Sequence, residues 1–254
     1  MTKTHNPLIV ALDVDSGKEA IQLVELLKNE VDIFKVGGQL FSIAGPHIIR
    51  DIQARGKKVF LDLKFHDIPN TVSFSTTGAI VGSSGDGVGL TTQFPPKNPS
   101  LHIPGLFMFT VHTQGGEEML KAAVRASKET AKQINIEPPL VVGVTVLTSE
   151  TATANTPHMV LERARLALES GLDGVVASPQ EAAMLRRELG SKFIIVTPGI
   201  RPASASADDQ KRTATPAEAI AAGSNYLVVG RPIVKAPSPQ KAVQEILEEI
   251  RKVK

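Results

Sequence analysis

The chain has 254 residues, 42% of them hydrophobic and 21% charged, with a net charge of +2. This is ordinary globular composition, and the length suits one α/β domain spanning 1–254. The low net charge and the lack of a basic run interleaved with aromatics argue against nucleic-acid binding, and with no cysteine there is no disulfide, thiolate metal site or cysteine nucleophile.

From the N-terminus, short β-branched runs predict strands over 8–12, 32–36, 58–63, 106–111, 140–146, 174–177, 193–197 and 226–229. Amphipathic stretches predict helices over 17–29, 39–55, 117–133, 157–170, 179–189, 216–222 and 239–252. Several of these open on Pro or follow Ser, as helix starts do. The strands are continuous apolar runs, which indicates a parallel sheet covered on both faces. Eight such units in this length predict a (β/α)8 TIM barrel. A doubly wound open sheet is disfavoured because no GxGxxG follows a strand. One stretch breaks the rhythm. Residues 73–105 are rich in Gly, Ser, Thr and Pro and show no helical period where the third helix is due. An irregular insertion, a replacement of that helix and a reading-frame anomaly all fit the letters. The apolar run LIVAL near the start is too short for a signal peptide, and no stretch approaches the roughly 18 apolar residues of a membrane span. A soluble cytoplasmic protein with no membrane partner is expected.

Barrel enzymes gather their functional groups at the C-terminal ends of the strands. Here Asp13 follows the first strand, Lys35 ends the second, and Asp62 and Lys64 end the third, with Asp67 on the next loop. Asp62 and Lys64 are two apart, so a regular strand would face them the same way. Such charges are costly to bury unless paired or used. Thr148 follows the fifth strand and Arg201 the seventh, while Gly230 and Arg231 follow the eighth in LVVGRPI. A glycine that lets the backbone approach, followed by a guanidinium fork, suits a phosphate. The loop TPGIRPASASADDQKRTATP adds Gln210, Lys211 and Arg212 and has the polar character of a ligand-closing loop. His66 and His112 read as structural.

The stretches FLDLKFHDIPNT, VTVLTS, TPGIRP, DDQKR and GRPI, preceded by LIVALDVD and FKVG, resemble the orotidine 5'-phosphate decarboxylase family in order and spacing. The likeness covers nearly the whole chain except about residues 73–105. It implies conversion of orotidine 5'-monophosphate to UMP and CO2 in de novo pyrimidine biosynthesis, with no metal and no organic cofactor. Lys35, Asp62, Lys64 and Asp67 would form the charged catalytic network, with Lys64 as proton donor. Asp13 and Lys35 would bind the ribose, Thr148 would lie near the pyrimidine, and Arg201, Gln210, Gly230 and Arg231 would hold the phosphate. A homodimer is also implied, in which Asp67, Ile68 and Thr71 complete the neighbour's site. Two other readings stay open. One is a phosphate-binding barrel lyase or aldolase with Lys64 as amine nucleophile or Asp62 as metal ligand. The other is a nucleotide-binding homologue whose altered third helix has impaired catalysis.

Overall fold

The computed structural model describes residues 6–83, 106–147, 153–202 and 213–253. Among them eight parallel strands close a barrel in sequence order: β1 (Leu8–Ala11), β2 (Ile33–Gly37), β3 (Lys58–Phe65), β4 (Met108–His112), β5 (Leu140–Val144), β6 (Gly174–Val176), β7 (Ile194–Thr197) and β8 (Tyr226–Val229). The continuous apolar runs are explained by two cores. Ile9, Ile33, Phe60, Met108, Val142, Val196 and Val228 point inward and fill the barrel. Their neighbours of opposite parity, such as Leu8, Val10, Phe34 and Leu61, point outward beneath the helices.

The helices are α1 (Gly17–Leu27), α2 (Gly38–Ala44), α3 (His47–Gln53), α4 (Pro69–Ser83), α5 (Gly116–Gln133), α6 (Thr156–Glu169), α7 (Pro179–Leu189), α8 (Pro216–Ala221), α9 (Arg231–Val234) and α10 (Pro239–Arg251). Local capping chemistry sets several starts. The Ser16 and Ser178 hydroxyls accept from the Glu19 and Gln180 N–H groups, and Thr215 and Glu218 form a reciprocal capping box.

Two expectations need correction. The single helix over 39–55 is two helices, because Gly45 takes φ +65° and Pro46 follows it. A left-handed glycine ends the first helix and proline begins afresh. The irregular reading of 73–105 fails for 73–83, which lie in α4; residues 84–105 are outside the described residues. The buried face of α4 is Val72, Thr76, Ile80 and Ser83. That spacing is helical, but half the face is polar, while Phe74 points to solvent. Apolar residues are therefore scattered around the helix and conceal its period. Packing on α5 supplies what the pattern lacks, with Thr77 Oγ1 lying 3.1 Å from Thr130 Oγ1.

Candidate active site

The inward parity that fills the barrel also builds the site. Ala11 precedes Asp13 by two, Ile33 precedes Lys35, Phe60 precedes Asp62, and Met108 precedes Thr110. Each polar group thus stands one layer above the apolar plug, at the C-terminal mouth. On the β5 to β7 side the cavity lining includes Val144, Val176 and Val196, the last of which also belongs to the plug. Between them lies a cavity of about 230 Å³.

Four charges alternate along one side of this cavity. Lys35 Nζ lies 3.1 Å from Asp13 Oδ1 and 3.7 Å from Asp62 Oδ2, and Lys64 Nζ lies 2.9 Å from Asp62 Oδ1. The side chain of Asp62 is only 14% exposed. Burial by itself would raise its carboxyl pKa, but the charge of Lys35, then the charge and hydrogen bond of Lys64, then the Thr110 hydroxyl bond, together hold it below the ordinary carboxylate value. Asp62 is therefore a fixed anion between two cations. Room for this chain is made by glycines. A Cβ on Gly37 would sit 2.8 Å from Lys35 Nζ, and one on Gly230 would sit 3.1 Å from Asp13 Oδ2.

The expectation that a regular strand aligns Asp62 with Lys64 holds only in outcome. The β3–β4 register runs Phe60 with Met108 and Leu61 with Phe109, then resumes at Phe65 with Val111. Asp62, Leu63 and Lys64 thus oppose Thr110 alone, a bulge of two extra residues. Lys64 takes φ +52°, a left-handed conformation that costs a non-glycine residue about 1–3 kcal/mol. The ladder partner that the bulge removes is replaced by a side chain. The Lys64 N–H donates to Thr110 Oγ1 at 2.8 Å, and that hydroxyl donates to Asp62 Oδ1 at 3.0 Å. Thr110 thus contacts two of the candidate site residues, and the sequence reading passed over it. The available signal was a hydroxyl inside the apolar run MFTVH.

Arg201, Gly230 and Arg231 line the same cavity as the charged chain. β3 and β7 stand across the barrel from each other in the strand order, so the arginine that follows β7 lies over the far wall from Lys64. Asp67, Ile68 and Thr71 do not join the charged chain. All three are exposed, Asp67 Oδ1 accepts from the Ile68 N–H at 2.7 Å, and Ile68 is 66% exposed. His66 and His112 stack with ring centroids 5.4 Å apart, away from the cavity lining. Thr148 and Gln210, like Lys211 and Arg212, lie outside the described residues.

Comparison with known proteins identifies the family. The profile of the orotidine 5'-phosphate decarboxylase / HUMPS family matches residues 6–88 and 103–246. The match runs through α4 and leaves residues 89–102 unmatched between its two parts. The chain is 43% identical to the orotidine 5'-phosphate decarboxylase of Syntrophotalea carbinolica, covering 98% of this chain and 97% of that one. It is 42% identical to that of a Nostoc species, covering 98% and 99%. Among solved structures, the orotidine 5'-phosphate decarboxylase of Lactobacillus acidophilus superposes with a TM-score of 0.74 at 34% identity, over 97% of this chain and 99% of that one. Matched over nearly its whole length in sequence and in fold, the chain belongs to the orotidine 5'-phosphate decarboxylase / HUMPS family.

Proposed function

We infer that the protein decarboxylates orotidine 5'-monophosphate to UMP and CO2 in de novo pyrimidine biosynthesis. The observation that carries the reading is a lysine ammonium fixed by Asp62 at the end of an alternating charge chain, in a cavity whose other side carries valines and two arginines. Heterolysis of the bond between C6 and the carboxylate leaves an electron pair on a carbon with little resonance stabilisation. A preorganised cation at that carbon stabilises the developing charge. The same Lys64 ammonium then delivers a proton to C6 and recovers one from solvent. Asp62 keeps the ammonium aimed, and no metal or organic cofactor is needed for these steps.

Substrate binding follows from the same layout. Asp13 and Lys35 hold the ribose hydroxyls, and Arg201 and Arg231 hold the phosphate beside Gly230. Thr148 lies against the pyrimidine and Gln210 closes over the phosphate. The phosphate grip is remote from C6, so its binding energy goes into orientation and loop closure. A homodimer completes each site. Asp67 and Thr71 reach the neighbour's cavity, and exposed Ile68 and Phe74, beside them at the start of α4, are apolar surface that such a contact would cover. A cytoplasmic location fits a charged nucleotide substrate and product, and no helix among the described residues is long and apolar enough to cross a membrane.

The aldolase reading is weaker. Lys64 is engaged in an ion pair with Asp62, whereas a Schiff-base lysine must offer a free amine. A metal-assisted lyase gains no support either, since both oxygens of Asp62, the candidate ligand, already pair with lysine ammonium groups. The impaired-homologue reading rested on a lost third helix, and α4 is present. Incubation of purified protein with orotidine 5'-monophosphate, followed by absorbance, alongside native mass measurement, tests chemistry and assembly together. Turnover by a dimer is expected; a folded dimer without turnover would sink the decarboxylase reading.

A further inference from the structure

Lys64 must meet two demands. Its ammonium has to reach the cavity from a strand end, and its backbone has to stay in a left-handed conformation that lysine disfavours. A bulge of this kind leaves the extra residues outside the backbone ladder. Asp62 keeps its register with Gly37 of β2, but on the β4 side something other than the ladder must hold Leu63 and Lys64. Thr110 is the only β4 residue opposite the bulge, it is 1% exposed, and its hydroxyl touches both functional residues.

The direction of each bond is forced. The Lys64 backbone N–H can only donate, so Thr110 Oγ1 accepts from it. The ionised Asp62 carboxylate can only accept, so the single hydroxyl proton goes to Oδ1. That oxygen is the one that receives Lys64 Nζ at 2.9 Å. The Thr110 hydroxyl therefore closes a ring: Lys64 backbone, Thr110, Asp62, Lys64 ammonium. Both ends of one lysine are referred to a single buried atom on the adjacent strand.

We propose that Thr110 is a positioning residue for the reaction, setting where the Lys64 ammonium is delivered by fixing the bulged backbone and the Asp62 carboxylate with one hydroxyl. This rests on the decarboxylase reading of the site. Thr110 is not a member of the charged chain and contributes no charge of its own. Its effect is geometric, and geometry is costly to lose: a displacement of about 1 Å in a reacting group can lower the rate about 100-fold.

The test compares Thr110→Val, which keeps the shape and removes the hydroxyl, with Thr110→Ser, which keeps the hydroxyl. Turnover of orotidine 5'-monophosphate, affinity for UMP, the pH profile of kcat and the thermal midpoint are read for each full-length protein. In Thr110→Val, kcat should fall about 10- to 100-fold while KM and UMP affinity change much less. The acid limb of its kcat profile should move to higher pH, because Asp62 has lost one hydrogen bond that favours its anion. Thr110→Ser should recover most of kcat. A Thr110→Val enzyme with kcat within about twofold of the parent overturns the proposal. So does a serine variant no better than the valine one, or a loss shared equally by UMP binding and thermal stability. Should Thr110→Val not fold, Thr110→Cys carries the same reading with its weak S–H donor: an intermediate kcat supports the proposal, and an unchanged one overturns it. A parent enzyme without turnover removes the decarboxylase reading and this inference with it. An active parent with an equally active Thr110→Val removes only this inference.

Discussion

The two sides of the barrel mouth are built by opposite rules. From β1 to β3 the strands end in Asp13, Lys35, Asp62 and Lys64, with a bulge and a left-handed lysine at the last step. From β5 to β7 the pairing continues in register, and the cavity layer is Val144, Val176 and Val196. Lys35 and Asp62 are largely buried, and a buried ion pair is weak evidence of stability, since desolvation offsets much of the Coulomb attraction. Backbone strain adds to the cost. The strand ends from β5 to β7 carry neither burden. At the mouth, the left-handed lysine and the buried ion pair both fall on the side where a carbanion would need a fixed cation.

If this division is right, substitutions on the charged side should damage turnover far more than the fold. Lys64→Ala removes both the cation and the proton donor. A loss in kcat of about 10³-fold or more is expected, with a nearly unchanged unfolding transition. Progress curves at saturating orotidine 5'-monophosphate, paired with thermal melts, measure the two. Near-normal turnover would break the comparison outright.

Asp62→Asn should act on both properties. The ammonium loses its anchor, and kcat is expected to drop about 100-fold. The folded carboxyl lies below its ordinary value, so Asp62 contributes stability above the unfolded value of about 3.9. That contribution disappears as pH falls through the lower folded value. Urea unfolding across the acid range should therefore decline less steeply in the Asn variant than in the parent. Parallel curves would show that Asp62 is not the strongly held anion inferred from its two lysine partners.

The smallest effect on chemistry is expected from the apolar side. Val175 is fully buried on the outward face of β6, away from the cavity. Val175→Ala should cost about 2 kcal/mol of stability, through two lost methyl groups and the space they leave. Turnover per folded molecule should stay close to that of the parent. A marked fall in kcat without loss of stability would mean that the two sides are less separate than their construction suggests.

Much of this was legible in the letters. The eight apolar runs became eight strands within a residue or two, because a strand buried on both faces must be apolar throughout. Asp13, Lys35, Asp62, Lys64, Arg201, Gly230 and Arg231 do share one cavity. Where the reading failed, the missing information was not local. α4 has a mixed polar and apolar buried face, so its helix is specified by contact with α5. The break between α2 and α3 was visible in AGP but lay within an otherwise continuous amphipathic pattern.

The sequence by itself determined the barrel, its strand order and the residue types at its mouth, because periodicity and turn chemistry are written over a few neighbouring positions. Only the tertiary structure decided that Lys64 leaves the ladder and that Thr110, 46 residues away, receives it. A bulge is defined by what lies opposite it, and a hydroxyl in an apolar strand has no role until another strand brings it partners. Register across β3 and β4 is a property of the closed barrel, set by the packing of its two cores.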